Sequence, residues 1–313
     1  PRPRGIVYRV SAMDEKKIAA LLALFDECFP YLESGRGSIP PLATHNVVHS
    51  CFHENTLVGT AIVGGGNLYF LAVSPEHRHC GIGSSLLAEA EKTCLDAGYD
   101  RITVGVGRDG YITPGIPTSV MPYTEELCAP NLYDGLTDEG AAFFRHHGYT
   151  HVRESNTFDM RVTLPYAGND AYPLGYTRGG VTYRLAGPAD RESVLRCTDD
   201  AAPYFTEYYK NEERYRSGSV VCAVSEEDGE VIGCLLASGT PGGLGTIGCV
   251  AVANRARGRG VASDMVRCAA RYITEQGSVR GFLSYTYTGL DRLYGKAGFR
   301  ISVYYMMAEK PLR

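Results

Sequence analysis

Two short stretches of this chain carry residue types at the spacing needed to hold an anion. The first is Val73-Ser74-Pro75-Glu76-His77-Arg78-His79-Cys80-Gly81-Ile82-Gly83. The second is Val252-Ala253-Asn254-Arg255-Ala256-Arg257-Gly258-Arg259-Gly260-Val261-Ala262. Each reads as an apolar strand, then Arg-x-x-Gly-x-Gly/Ala, then an amphipathic helix. Glycines after a strand let backbone N–H groups approach an anion closely, and the helix N-terminus behind them adds roughly half a positive charge. Together they make a cradle for a pyrophosphate. A second set of candidates, Asp199, Asp200 and Glu207, lies in or beside the aromatic-rich run from Tyr204 to Tyr209. Carboxylates mixed with aromatic rings suit a cationic amine, by ion pairing and cation–π contact. The same acids also fit a solvated helix face.

The elements that must position these residues repeat along the chain. Val7-Tyr8-Arg9-Val10 before Met13-Asp14 echoes Thr182-Tyr183-Arg184-Leu185 before Ala189-Asp190. Each is a short alternating strand followed by a turn and a helical stretch, Lys16 to Cys28 in one half and from near Arg191 in the other. Hairpin strands follow at Val47–Phe52 with Leu57–Val63, and at Val220–Val224 with Val231–Ala237. The strands Leu68–Val73 and Thr246–Val252 enter the glycine loops. Helices Gly83–Ala97 and Ala262–Gln276 leave them, each followed by a glycine, Gly98 or Gly277, as a helix C-terminus favours. A further strand follows in each half, Arg101–Val106 or Gly281–Tyr285. Then comes a helix ending in Gly-aromatic, Phe143 to Tyr149 or Leu293 to Phe299, and a final strand, near His151–Arg161 or Ile301–Met307.

Strands alternating with helices at this spacing predict an α/β fold built twice, each half a mixed central sheet flanked by helices. The expected division is an N-terminal domain over 1–164, a linker rich in Gly, Pro, Asn and Tyr over 165–180, and a C-terminal domain over 181–313. The stretch from Gly83 to Gly148 exceeds that from Ala262 to Gly298 by about 29 residues. The excess lies near 107–137 and includes Tyr111, and a loop of that length in a compact domain is usually functional or disordered.

Composition narrows the function classes. A length of 313 residues fits about two domains, and a net charge of −4 opposes a dedicated nucleic-acid binder. No apolar run is long enough to span a bilayer. The start, Pro1-Arg2-Pro3-Arg4, lacks the apolar segment of a signal peptide. Ten cysteines without a Cys-x-x-Cys pattern suggest reduced thiols in a cytoplasmic protein rather than disulfides or zinc. The histidine spacings match no metal site.

The two glycine loops, each between a strand and a helix inside a duplicated pattern, resemble the acetyl-CoA loop of the GNAT N-acetyltransferases. The chain resembles a tandem pair of such domains over nearly its whole length. The resemblance implies acetyl-CoA as co-substrate. Loop N–H groups would bind its pyrophosphate and the preceding strand its pantetheine arm. The residues so implied are Val250, Val252, Arg257, Gly258, Arg259, Gly260, Val261, Ala262 and Ser263. In the first half they are Leu71, Val73, Arg78, His79, Gly81, Ile82, Gly83 and Ser84.

It further implies that a tyrosine in the closing helix protonates the departing thiolate. Tyr294, in Leu-Tyr-x-Lys-x-Gly-Phe, holds that position, whereas the first half has Phe144. Catalysis is therefore expected in the second half. Tyr111-Ile112-Thr113-Pro114-Gly115-Ile116-Pro117 is similar to a loop of tandem bacterial acetyltransferases acting on glucosamine-type amino sugars. The expected partner is a small cationic amine, an amino sugar or aminoglycoside-like compound, with Asp199, Asp200, Glu207 and Tyr111 as substrate contacts. Two other readings compete: a protein or peptide N-acetyltransferase, and an acyl-CoA-sensing protein without turnover.

Overall fold

The computed structural model describes residues 5–10, 12–105, 112–125 and 136–312. In chain order the elements begin with β1 (Ile6–Val10), α1 (Glu15–Cys28), α2 (Ile39–His45), β2 (Val47–His53), β3 (Thr56–Gly64), β4 (Asn67–Val73), α3 (Ile82–Asp96) and β5 (Arg101–Val104). Next come β6 (Ile116–Thr118), α4 (Glu139–His146), β7 (Thr150–His151), β8 (Thr157–Thr163), β9 (Thr177–Arg178), β10 (Val181–Leu185), α5 (Arg191–Ala201), α6 (Thr206–Tyr209) and α7 (Glu213–Arg216). The chain closes with β11 (Val220–Ser225), β12 (Val231–Ser238), β13 (Leu244–Val252), α8 (Val261–Glu275), β14 (Arg280–Tyr287), α9 (Asp291–Gly295), β15 (Arg300–Met306) and β16 (Ala308–Pro311). Among the described residues, no helix is long and apolar enough to cross a membrane.

Two compact units emerge, each a mixed sheet flanked by helices. One comprises Pro1–Phe158 with Val303–Arg313, the other Asp159–Ser302. In the first unit the strand order is β1-β2-β3-β4-β5-β16-β7. Its pairs are antiparallel except β4 with β5. The two faces of this sheet carry separate cores, because strand side chains alternate. On one face, Ala61, Val63 and Leu68 pack with Leu86 and Leu87 of α3. On the other, Val48, Ile62 and Phe70 pack with Leu21, Leu24 and Phe25 of α1 and Ile39 of α2. In the second unit β13 pairs antiparallel with β12 and parallel with β14.

The helices behind the two glycine loops share one apolar stripe. In α3 it is Ile82, Leu86, Ala90 and Cys94; in α8 it is Val261, Met265, Ala269 and Ile273, all buried. A repeat of four residues keeps one face of a helix on the sheet, and each of the large side chains contributes roughly 1.5–3 kcal/mol by leaving water. Both helices stop at a glycine with positive φ, Gly98 (+88°) and Gly277 (+87°).

The final strands depart from the simple duplication. Each predicted closing strand is two strands, β7 with β8 and β15 with β16. The second strand of each pair leaves its own half. β16 lies between β5 and β7, while β8 lies between β14 and β15. The compact units therefore divide at Phe158/Asp159 and Ser302/Val303, not at a linker over 165–180. That stretch instead contributes β9, which pairs with β10. Of the long first-half insertion, Ile116–Thr118 forms β6 against Tyr304–Met306 of β15. Tyr111 lies outside the described residues.

β16 supplies the partner on one side of both β5 and β7. Deleting residues 308–312 should leave both edges unpaired. Calorimetry should then show a lowered transition for the first unit, with the second unit's transition little changed; an unaltered profile would refute the exchange.

Candidate functional site

Both loops are built from backbone in the left-handed region. Gly81 (φ +80°) and Gly260 (φ +82°) precede the first helical residue of α3 and α8. Two residues earlier stand His79 (φ +58°) and Gly258 (φ +77°). The conformational counterpart of Gly260 is thus Gly81, while Gly83 corresponds to Ala262. Neither helix has a side-chain cap. The first intrahelical bonds are Ser85 N–H to Gly81 O at 3.0 Å and Asp264 N–H to Gly260 O at 3.1 Å. The N–H groups of Ile82, Gly83 and Ser84, and of Val261, Ala262 and Ser263, precede those bonds and are available to an anion. The Ile82 and Val261 side chains are buried, so only their backbone can serve.

The strands entering the loops part from their parallel neighbours. β13 keeps register with β14 only over Leu244 to Thr246, and β4 with β5 only at Asn67. Beyond those points one edge of each strand has lost its ladder. That edge includes Val250 and Val252 in the second half and Leu71 and Val73 in the first, all half-buried. The two edges differ. Val73 O already accepts from Arg78 Nε at 3.1 Å and from Cys28 Sγ at 3.4 Å. The matching Arg257 donates instead to Ala201 O, at 3.3 Å. Arg259 is exposed and reaches toward Gly179 O at 3.5 Å.

A β-bulge sits on β13. Leu236 pairs with Gly248 and Cys234 with Ala251, so Cys249 and Val250 together face Leu235. Cys249 has φ +51°, unusual for a residue with a Cβ. Its carbonyl is held by the Tyr209 hydroxyl, which donates at 2.6 Å; the Tyr215 hydroxyl donates to Tyr209 O at 2.9 Å. Tyr209 is fully buried. Although it belongs to the aromatic run, it clamps the bulge.

Tyr294, on α9, is only 8% exposed. Burial pushes its phenol above the ordinary range, with further upward contributions from Tyr287, Cys249 and Tyr204. It thus lies in the electrostatic reach of the bulge and of two half-exposed tyrosines. Burial likewise lifts the Cys249 thiol to about 11, which leaves it a neutral thiol rather than a nucleophile. Phe144, in the first half, packs edge-on against Tyr149 at 5.1 Å.

The three predicted acids part company. Asp200 anchors the glycine loop. It accepts from Asn254 N at 2.7 Å and from Asn254 Nδ2 at 2.9 Å. These bonds, the backbone one foremost, hold its carboxyl below the usual range. Asp199 accepts from the Thr206 hydroxyl at 2.7 Å. Glu207 is exposed and paired with Lys210. Asn254 was part of the quoted motif, yet its side-chain role carried no sequence signal.

In the first unit a cavity of about 560 Å³ opens at the glycine loop and is lined by Arg78, His79, Gly81, Gly83 and Ser84. Ser84 Oγ lies 3.0 Å from His147 Nε2, and the position of a Cβ on Gly83 would lie 3.4 Å from the Phe143 ring.

If Asp200 fixes the loop, Asp200→Ala should raise the KM for acetyl-CoA about tenfold and leave the acceptor KM unchanged, since a few hydrogen bonds of this kind are worth about 1 kcal/mol each. The reverse pattern would make it a substrate residue. Tyr209→Phe orphans a buried carbonyl and should cost about 1–3 kcal/mol in denaturant unfolding.

The profile of the acetyltransferase (GNAT) family matches residues 18–111 and 183–299. Solved structures with similar folds include a GCN5-related N-acetyltransferase from Sphaerobacter thermophilus, with TM-score 0.71 and 19% identity over 100% of this chain and 98% of that one. A tandem GNAT protein from the clavulanic acid biosynthesis pathway has TM-score 0.68 and 14% identity, covering 98% and 99%. The glucosamine N-acetyltransferase region of a fungal multi-domain β-N-acetylglucosaminidase has TM-score 0.71 and 17% identity over 97% of this chain, which spans 38% of that protein. No curated protein matches. With both glycine loops, both splayed strands and most of the sequence inside the two matched segments, the chain belongs to the GNAT family, as a tandem, acetyl-CoA-dependent N-acetyltransferase.

Proposed function

We propose that the second half moves an acetyl group from acetyl-CoA to the primary amine of a small cationic acceptor, an amino sugar or aminoglycoside-like compound. The observation that supports this is the buried phenol of Tyr294 on α9, at the position where the first half carries Phe144. The uncapped N–H groups from Val261 to Ser263 would hold the pyrophosphate, with Gly258 and Gly260 shaping the turn and Arg257 and Arg259 at its rim. Val250 and Val252 would pair with the pantetheine amides. The equivalent set in the first half, Leu71, Val73, Arg78, His79, Gly81, Ile82, Gly83 and Ser84, would hold a second acyl-CoA.

The reaction is a direct transfer in a ternary complex. The neutral amine attacks the thioester carbonyl and the C–N bond forms. As the tetrahedral intermediate collapses, the C–S bond breaks and the sulfur takes the Tyr294 proton. The amine's surplus proton leaves through ordered water or to Asp199 or Glu207, since β13 carries no carboxylate. Tyr204 and Tyr208 are about half exposed, at 48% and 52%, and offer ring faces to a sugar or a cation. The glucosamine specificity named for the fungal region supports an amino sugar. A peptide acceptor would need a longer open groove, and an acyl-CoA sensor would show no thiol release.

Tyr294→Phe should lower kcat by about 10²–10⁴-fold with little change in acetyl-CoA affinity or thermal stability, measured by thiol release against a panel of amines. Full activity in a folded variant would remove Tyr294 from the mechanism. A pH profile gives a second check. Burial raises the phenol's pKa, so the proton-donating form persists above pH 10, beyond the ordinary tyrosine range. No alkaline loss of kcat below about pH 10 should trace to Tyr294; a limb present in the wild type and absent in Tyr294→Phe would contradict this.

A further inference from the structure

The first-unit cavity has two chemically distinct groups of lining residues. One is the glycine loop, Arg78 and the helix N-terminus already described. The other is apolar: Phe25, Phe29, Phe70 and Ile112. Phe25, Phe29 and Phe70 form one aromatic cluster, with ring centroids 5.5–6.1 Å apart. The cavity passes from one face of the sheet to the other. Leu68 and Val104 belong to the core under α3, whereas Phe25, Phe70 and Ile112 belong to the core under α1. That passage exists because β4 and β5 separate after Asn67.

Of the titratable lining, Cys28 and Tyr31 are neutral: burial lifts the thiol to about 11 and the phenol to about 12. Glu27, on the neighbouring helix position, is engaged by the Ser74 hydroxyl at 2.8 Å. Among the described lining residues the one carboxylate, Glu139, is paired with Arg78 at 4.0 Å. The volume, about 560 Å³, falls within the range of ligand sites, about 300–1,000 Å³. An anionic group joined to an apolar tail matches both groups of lining residues.

We propose that the first unit is a binding site for an acyl-CoA whose acyl group is an aliphatic chain of several carbons, seated against Phe25, Phe29 and Phe70. The proposal rests on the reading of the first glycine loop as a pyrophosphate cradle. It assigns this unit a ligand different from the acetyl donor of the second half.

The test is calorimetric titration of the full chain with CoA, acetyl-CoA, butyryl-CoA and hexanoyl-CoA, with Gly81→Asp and Phe29→Asp alongside. Each methylene buried is worth roughly fourfold in affinity. Four more methylenes therefore predict a gain on the order of 10²-fold, and at least tenfold, in the binding event that Gly81→Asp removes. Phe29 is partly exposed at the end of α1, so Phe29→Asp should fold; it should abolish the chain-length gain and leave acetyl-CoA binding there intact. A Gly81→Asp-sensitive event with equal or falling affinity from acetyl to hexanoyl would overturn the acyl assignment while sparing the cradle. Absence of any Gly81→Asp-sensitive event would overturn the cradle and the proposal with it. The wild-type series decides the question even if a variant misfolds.

Discussion

The parting of two parallel strands is the constraint on which this protein's chemistry depends. Backbone N–H and C=O groups are obligatory hydrogen-bonding partners. A strand that leaves its neighbour in mid-sheet must find new ones. In the second unit this happens after Thr246, and the adjacent bulge would be untenable if its carbonyl were also orphaned. Tyr209 supplies that partner. The remaining edge keeps no ladder partner on the β14 side beyond Thr246. The loop that follows is subject to the same rule: three N–H groups without a cap are a standing demand for an anion.

The two units answer this demand differently. In the first, Arg78 and Cys28 both engage the last carbonyl of the strand, and the split leads to aromatic side chains. In the second, arginine turns away to the end of α5, and the phenol of Tyr294 is buried. One architecture thus carries a buried phenol in one copy and an aromatic-lined cavity in the other. Phe144, at the position that Tyr294 holds in the second half, belongs to the same divergence.

Much of this was legible in the residue order. The strand-loop-helix units were readable because apolar periodicity and Gly81, Gly260, Gly98 and Gly277 mark backbone states directly. The bulge was not, because Cys249 carries no bias toward positive φ. The role of Asp200 was hidden because its partner, Asn254, lies 54 positions away; a carboxylate on a helix face looks alike whether it meets solvent or a backbone amide. The strand exchange was invisible for another reason. Alternation specifies which face of a strand is buried, but not which sheet receives it. The sequences of β8 and β16 fit either half.

The placement of β16 has a temporal consequence. Arg101 and Glu309 are neighbours in the finished sheet, yet 208 positions separate them. A ribosome delivers the chain from its N-terminus at about 5–20 residues per second. The unit that begins first is therefore completed last, after the whole of 159–302 has been made and can already have folded. For tens of seconds the exposed edge of β5 lacks its native neighbour. Arg101 at the start of that edge, a charge on an otherwise uncharged strand, is the kind of residue that discourages foreign strands from pairing there while the chain is unfinished.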